Sequence, residues 1–342
     1  MKINIVIGII GLIAINVAMA EEIFTGTSIS GSAQIEGRYY EDYAAVNSSD
    51  FVVDEVAVAI ETQVNKWVKG LIGFLYEEDE TPLEVDEAII TLGNSAVSPL
   101  YFAAGQMYVP FGNFETSMIS DPLTLELGEA REKAAQIGFT TANIYGSLYA
   151  FNGSTQNNSE DTIDHYGINL GFAQENDSHS YDLGIGYISD IGDTDGLTDA
   201  LGGDDVTNLV GYDYVAGLST HIIVTIGDVS LVGEYVTALD TFNPDNLAFN
   251  DNGAEPKAWN IEAGYSFPLM GKATTLALGY QGTDEAVAME LPAERYSGSL
   301  TMEVYRNTTL AFEYALEEDY ATSDGGTGED AHRAALQLGF QF

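Results

Sequence analysis

The residues that most often carry catalytic chemistry are few and scattered in this chain. The four histidines are His165, His179, His221 and His332, and no sequence motif joins any of them to a serine nucleophile. The chain has no cysteine, no phosphate-binding glycine loop, no dinucleotide-binding fingerprint and no His-x-x-x-His pair. We therefore predict a protein that is not an enzyme and has no cofactor. The positions of the four histidines do not indicate whether the protein has a metal site.

Basic residues are the rarer charge, so their positions are informative. The sequence has 11 basic and 53 acidic residues, a net charge of −42, and this field excludes nucleic acid as a partner. Arg38, Arg295 and Arg333 all occupy polar positions of alternating apolar and polar segments. Like charges on one face repel unless they are paired or used. Three nearby acids are candidates to neutralise them, namely Glu36, Glu303 and Glu313.

A long connection at 110–132 combines acidic residues with enough apolar residues to pack against another surface. Long connections without regular structure are usually functional or disordered. Its charged candidates are Glu115, Asp121, Glu126, Glu129 and Arg131. Two interpretations stay open at this point: the connection folds inward against the rest of the molecule, or it forms an external flap or a latch between subunits.

The elements that must position these residues are strands, because apolar and polar residues alternate with a period of two along the whole chain. In the last segment, Leu336, Leu338, Phe340 and Phe342 share one face, and Gln337 and Gln341 share the other. Most segments are close to the roughly 9–11 residues that a tilted strand needs to cross a bilayer. The pattern predicts sixteen strands, at 29–40, 51–62, 67–76, 85–93, 100–109, 133–141, 144–152, 163–173, 180–189, 209–226, 229–238, 258–267, 273–283, 294–305, 308–317 and 332–342.

The predicted connections fall into two classes. Connections after even-numbered strands are short, whereas connections after odd-numbered strands are longer and contain 33 of the 53 acidic residues. Short periplasmic turns and long external loops are typical of transmembrane barrels. The sequence therefore predicts an all-β fold, a 16-stranded antiparallel transmembrane β-barrel of the outer membrane. The loop acids either form a solvated, repulsive surface or bind divalent cations that bridge to outer-membrane lipid.

The first twenty residues have the pattern of a cleaved signal peptide. Lys2 precedes an apolar run, and Ala18-Met19-Ala20 is a small-x-small cleavage site followed directly by two glutamates. We predict that 1–20 is removed and that 21–342 forms the barrel, with 110–132 as a constriction loop inside it. In the closed barrel Arg38, Arg295 and Arg333 would lie on the first, fourteenth and sixteenth strands, which form one patch of the lumen wall.

Part of the chain resembles a known family. The similarity lies in residues 85–94, 105–116, 119–125, 128–129 and 149–153, and includes the motifs Val-Pro-Phe-Gly and Ser-Asp-Pro-Leu-Thr. This region resembles the LbtU-type siderophore porin family. The resemblance implies an outer-membrane barrel that passes or receives ferric siderophores without a plug domain. The chain lacks the coiled-coil segment that often follows the signal peptide in that family.

These observations predict an outer-membrane channel for the passive uptake of small solutes, which the resemblance extends to ferric siderophores. One alternative is a general diffusion porin that prefers cations, because carboxylates at its mouth would repel anions. Another is a structural or surface-binding barrel that transports nothing. Barrels of this size can assemble as homotrimers, although the sequence does not indicate which residues would form the interface.

Overall fold

A computed structural model describes residues 21–24, 26–78, 81–155, 162–176, 178–203, 209 and 212–342. The predicted signal peptide at 1–20 lies outside the described residues. Sixteen long strands form the wall, and we number them in chain order. They are β1 (Thr27–Glu41), β2 (Asn47–Asn65), β3 (Val68–Glu77), β4 (Thr81–Gly93), β5 (Leu100–Tyr108), β6 (Arg131–Thr140), β7 (Ile144–Phe151), β8 (His165–Glu175), β9 (His179–Ile188), β10 (Gly217–Ile226), β11 (Val229–Ala238), β12 (Lys257–Leu269), β13 (Lys272–Asp284), β14 (Glu294–Tyr305), β15 (Thr308–Glu318) and β16 (Asp330–Gln341).

The sixteen strands close into one antiparallel barrel. Each strand pairs with the next in sequence, and β16 returns to pair with β1, with Leu338 opposite Ile35. The C-terminal Phe342 completes the seam, because its backbone N–H and C=O both bond to Gly31. A short strand, Glu21–Phe24, pairs with the start of β1. Closure leaves the barrel strands without a free edge, as a membrane requires of a β-structure. The predicted 16-stranded barrel is confirmed.

The period-two pattern separates an apolar exterior from a polar interior. Leu336, Leu338 and Phe340 on β16 are 51%, 50% and 49% exposed, so their side chains are not covered by the rest of the chain. On the opposite face of the strands, Glu262 of β12 and Gln281 of β13 are buried. The barrel is therefore apolar outside and polar inside. This is the reverse of a soluble protein, and it suits a lipid environment. No helix among the described residues is long and apolar enough to span a bilayer.

The turns at one end of the barrel are tight. Met270 and Gly271 link β12 to β13, and both have positive φ (52° and 76°), the backbone of a two-residue hairpin turn whose twist matches the strands. At the other end, the connections after β5, β7, β9 and β11 are long, as predicted. The expectation that every external loop is long was wrong for the connections that follow β1 and β3, because β1 to β4 extend beyond their predicted ends.

Two other predicted boundaries were wrong. Strand β10 begins at Gly217 rather than at 209. The backbone N–H of Val215 and the hydroxyl of Tyr212 both donate to the buried Asp190, so this part of the chain turns inward before the strand begins. Arg131 is the first residue of β6 rather than part of the preceding loop.

Inside the external end of the barrel, the long connections pack on one another. Two short helices, α1 (Leu123–Gly128) and α2 (Asp195–Leu201), belong to this layer. Their apolar side chains join a buried cluster that includes Leu127, Leu197, Phe151, Ile191, Tyr212, Val236 and Phe242. The backbone N–H of Asp195 donates to the carbonyl of Glu129 at 2.8 Å, so the α2 connection is tied to the end of segment 110–132.

Candidate functional site

Segment 110–132 is held against the inward face of the wall by buried glutamates. Glu234 on β11 is 5% exposed, and its two carboxylate oxygens accept the backbone N–H groups of Asn113 at 2.7 Å and Phe114 at 3.0 Å. The hydroxyl of Thr124 donates to the same carboxylate at 2.9 Å. Charge-assisted bonds of this kind are about twice as strong as neutral ones, so Glu234 is a firm attachment point.

Further attachment points follow around the wall. Glu262 on β12 accepts the hydroxyl of Thr116 at 2.6 Å and the N–H of Ser117 at 2.7 Å. Glu313 on β15 accepts the N–H of Ile119 and both donors of Ser120, and Gln281 on β13 accepts the N–H of Leu123 at 2.9 Å. We call Glu234, Glu262, Gln281 and Glu313 the wall acceptors. Only Glu313 was singled out from the sequence, and for a different role.

The wall acceptors could have been suspected from one signal in the sequence. Glu234, Glu262 and Glu313 are acids in the middle of strands, at positions whose neighbours on both sides face outward, and a buried carboxylate needs donors. The sequence does not indicate where those donors lie, because the donating residues are between 110 and 194 positions away along the chain.

The acidic residues of segment 110–132 itself remain inside the barrel mouth. Glu115 is exposed, and Asp121, Glu126 and Glu129 are partly buried. The surrounding chain still removes part of the water around the Glu115 carboxyl, which raises its pKa, and the charges of Asp182 and Glu262 raise that pKa further.

The pKa of Glu129 is raised well above its ordinary value, first by burial and then by the charges of Asp195 and Asp121, with smaller contributions from Asp86 and Glu126. Carboxylates from the segment, the wall and the α2 connection therefore lie close enough to repel one another.

The one base that the sequence placed in this segment, Arg131, is paired. Its guanidinium contacts Glu84 and lies 3.1 Å from Asp86, both on β4, so it reaches across the intervening strand β5. The hydroxyl of Tyr108 also donates to Asp86 at 2.8 Å. Because Asp86 is fully buried, this pair serves to compensate a buried charge.

The three arginines predicted to share one patch do lie on β1, β14 and β16, and all three are ion-paired. Arg295 and Arg333 contact the two oxygens of the same buried carboxylate, Glu317, at 2.8 and 3.0 Å. Arg38 contacts Glu36 at 2.6 Å and also Asp54. The side chains of Arg38 and Arg333 are 42% and 48% exposed, so paired basic groups still face the lumen water.

The neutralising acids were identified only in part. Glu36 pairs with Arg38 as expected, whereas Glu313 instead holds segment 110–132 and Glu303 accepts from the backbone of Asn307 at the opposite end of the barrel. Arg295 has a second role, since its Nη1 donates to the carbonyl of Asp121 at 2.8 Å. The basic patch and the acidic segment are therefore directly linked.

A second cluster of chemistry-bearing residues lies at the external mouth. His165, Asp190 and Asp193 are all buried, and one ligand-capable atom from each lies within 4.8 Å of the others. His165 faces inward, as strand parity predicts, and Asp193 belongs to the Asp-Thr-Asp-Gly stretch that partly matches a calcium loop but has its glycine too early. Burial raises the pKa of Asp190 to about 7, with the charge of Asp193 as the second cause.

The amino-acid sequence is similar to those of several UPF0422 proteins. A UPF0422 protein of Coxiella burnetii is 30% identical over 308 residues, which are 87% of this chain and 66% of that protein. A UPF0422 protein of Legionella pneumophila is 27% identical to this chain over an alignment of 355 residues that covers 92% of this chain. The chain spans about two thirds of the length of the curated relatives that it matches. No family model matches it, and its similarity to the LbtU-type family therefore rests on the motifs alone.

Solved structures with the same fold are outer-membrane channels. The channel DcaP of Acinetobacter baumannii has a TM-score of 0.61 at 13% identity, covering 93% of this chain and 98% of its own. An anion-selective porin of Comamonas acidovorans has a TM-score of 0.62 at 10% identity, covering 92% and 99%. The chain has the fold of an outer-membrane porin. With its bare apolar exterior, that fold belongs in the outer membrane.

Proposed function

We propose that this protein is a passive outer-membrane channel that favours cationic and neutral small solutes. The observation that supports this most strongly is the path of segment 110–132, whose backbone is bound to wall acceptors on β11, β12, β13 and β15. A segment attached along the inner wall of a barrel narrows the lumen. The segment brings acidic side chains to that narrowing, and rings of carboxylates favour cations.

The arginines of the adjoining wall do not reverse this preference. Each of Arg38, Arg295 and Arg333 is matched by carboxylates from Glu36, Asp54 or Glu317. A paired arginine adds little net positive potential to the lumen, whereas the acids of the segment repel one another. The net field that a passing ion meets is therefore negative.

Planar-bilayer recording tests whether the barrel conducts at all. The detergent-purified chain, added to a bilayer in KCl, is expected to insert in discrete steps with a stable open conductance. A structural barrel filled by its own loops would insert without such steps, and that outcome would exclude the channel. A heat-modifiability gel on the same sample confirms that the barrel is folded.

Ferric siderophores form a second candidate substrate class. The observation that favours them is the exposure of Arg38 and Arg333 on the lumen side, because a guanidinium that keeps water contact can contact a passing anion. Liposome swelling separates the two candidates. A siderophore channel should admit a ferric siderophore faster than a sugar of equal size, whereas a general channel admits the two by size and charge alone.

The assembly and its lipid contacts are proposals of the same kind. We propose a homotrimer in the membrane and bridging of the loop acids to anionic lipid through divalent cations. Multi-angle light scattering of the protein–detergent complex gives the number of chains in each particle. A monomer would exclude the trimer.

A further inference from the structure

In the cluster at the external mouth, two buried atoms that could bind a metal, His165 Nδ1 and Asp193 Oδ2, have no hydrogen-bond partner. The hydroxyl of Thr155 lies 2.8 Å from Asp190 Oδ2 and 2.7 Å from Asp193 Oδ1, yet it has one proton to donate. Asp190 also accepts from the hydroxyl of Tyr212 and from the backbone N–H groups of Gly192 and Val215. The backbone N–H of Thr155 donates to Asp193 Oδ1 at 2.9 Å, so Thr155 can supply one donor to each carboxylate, and the oxygen that remains without a donor is Asp193 Oδ2.

The geometry of His165 places these two atoms opposite each other. His165 is 2% exposed, and its Nε2 lies 3.4 Å from an oxygen of Asp164, which suits an Nε2–H donor. Its Nδ1 then presents a lone pair, and that nitrogen faces Asp193 Oδ2 at 2.5 Å. Neither of these two buried atoms has a hydrogen-bond partner of acceptable geometry. A lone pair opposite a carboxylate oxygen is repulsive, and either a proton on Nδ1 or a metal cation between the two atoms removes that repulsion.

Among the described ion pairs, no lysine or arginine brings a positive charge to these carboxylates. Among the described residues, the lysines and arginines that form ion pairs do so with other acids, and none contacts Asp190 or Asp193. Buried charges in proteins are normally paired or coordinate a metal. An imidazole nitrogen beside two carboxylates is a donor set for a divalent transition ion.

We propose that His165 Nδ1, Asp190 and Asp193 bind one divalent transition-metal ion of the Zn²⁺ type at the external mouth. The remaining contacts are those expected around such an ion. Asp164 orients the imidazole through its other nitrogen, and Thr155 and Tyr212 orient the carboxylates. Metal–ligand bonds of about 2.0–2.2 Å require His165 Nδ1 and Asp193 Oδ2 to move roughly 1 Å farther apart than their present distance of 2.5 Å.

The ion and the Thr155 hydrogen bonds to its ligands would together join three parts of the chain. His165 begins β8, Thr155 follows β7, and Asp190 and Asp193 follow β9 and lead into α2. Since α2 is tied to segment 110–132 through the Asp195–Glu129 bond, metal binding would stiffen the layer that closes over the external end of the barrel. This inference does not depend on what the channel transports.

Calorimetric titration of the chelator-treated, detergent-purified chain with ZnCl₂ tests the proposal. Half-molar NaCl screens weak binding by the loop acids, and CaCl₂ serves as the hard-ion comparison. One Zn²⁺ per chain is expected to bind saturably and more tightly than Ca²⁺. The Asp193→Asn and His165→Gln variants should bind at least about 100-fold more weakly, and Asp164→Asn about 10–100-fold more weakly.

His179→Gln is the matched control, because His179 is the first residue of β9, at the other end of the barrel, and its replacement should leave binding unchanged. X-ray absorption of the zinc-loaded wild type decides the case even where a variant fails to fold. The expected first shell contains one imidazole nitrogen with carboxylate oxygens at about 2.0–2.2 Å. Absence of saturable binding, equal affinity in folded variants, or a shell of oxygens alone would overturn the site.

Discussion

At the scale of single residues, the wall acceptors determine where the interior segment lies. A carboxylate that accepts several N–H groups from another part of the chain fixes both the position and the direction of that backbone. Glu234 does this with three donors while almost completely buried. Its charge is tolerated because the donors replace the water that it loses.

Replacing Glu234 by Gln tests this role with little change in size. The amide keeps one acceptor but turns an NH₂ group toward backbone N–H donors, so we expect a loss of about 1–3 kcal/mol in the free energy of unfolding. The loosened segment should also make the open-channel current noisier. Urea unfolding in detergent and bilayer recording measure the two effects. Glu303→Gln, near the tight-turn end, should change neither, and an equal effect of both variants would refute the assignment.

The exposed arginines make a separate prediction. Removing Arg38 and Arg333 together leaves Glu36 and Asp54 without their base, while Arg295 still compensates Glu317. The double Arg→Ala variant should therefore raise the ratio of cation to anion permeability, by about two-fold or more. Reversal potentials in a KCl gradient report this ratio. Arg306→Ala, in the turn between β14 and β15, is the control, and an unchanged ratio in the double variant would show that the arginines do not face the ion path.

At the scale of elements, the strands were predictable and the interior segment was predictable only in outline. Period two identified the strands because each has one face toward lipid and one toward the lumen. The sequence indicated the acids of 110–132 as candidates, but the wall acceptors that bind the backbone of this segment are brought to it only by closure of the barrel. Residues 212–216 alternate like a strand and still leave the wall, because Tyr212 finds a buried acceptor in Asp190.

The segment also predicts a pH dependence. The pKa values of Glu115 and Glu129 are raised by burial and by neighbouring acids, so both groups become neutral at a higher pH than an ordinary glutamate. On acidification from neutral pH, cation selectivity should therefore begin to fall while the pH is still above the ordinary value of 4.5. Reversal potentials measured across this range test the expectation. A Glu115→Gln/Glu129→Gln variant should lack this early part of the decline, and an unaltered curve would contradict the role of these two carboxyls.

At the scale of the whole molecule, stability depends on closing the hydrogen-bonded wall and keeping its exterior apolar. Every backbone group in the membrane must be bonded within the protein, which the consecutive antiparallel pairing with the β16–β1 seam achieves. The even strand number and the alternating faces followed from the sequence. The lengths of β1 to β4 did not, because the point at which a hairpin stops depends on its neighbours.

The exterior makes the last stability prediction. Leu278 lies midway along β13 and is 63% exposed, so an arginine there would face hydrocarbon. Leu278→Arg should lower the free energy of unfolding in lipid vesicles by about 2–4 kcal/mol. Met270→Arg, in the tight turn and 92% exposed, should have an effect near zero. Equal tolerance of both changes would mean that this face of β13 does not contact lipid.

The sign of the wild-type reversal potential under a KCl gradient is the most direct test of an acidic passage through this barrel. We expect a potential of the sign set by potassium, because the carboxylates of segment 110–132 outweigh the paired arginines in the lumen. A potential of the sign set by chloride, or none, would contradict the account.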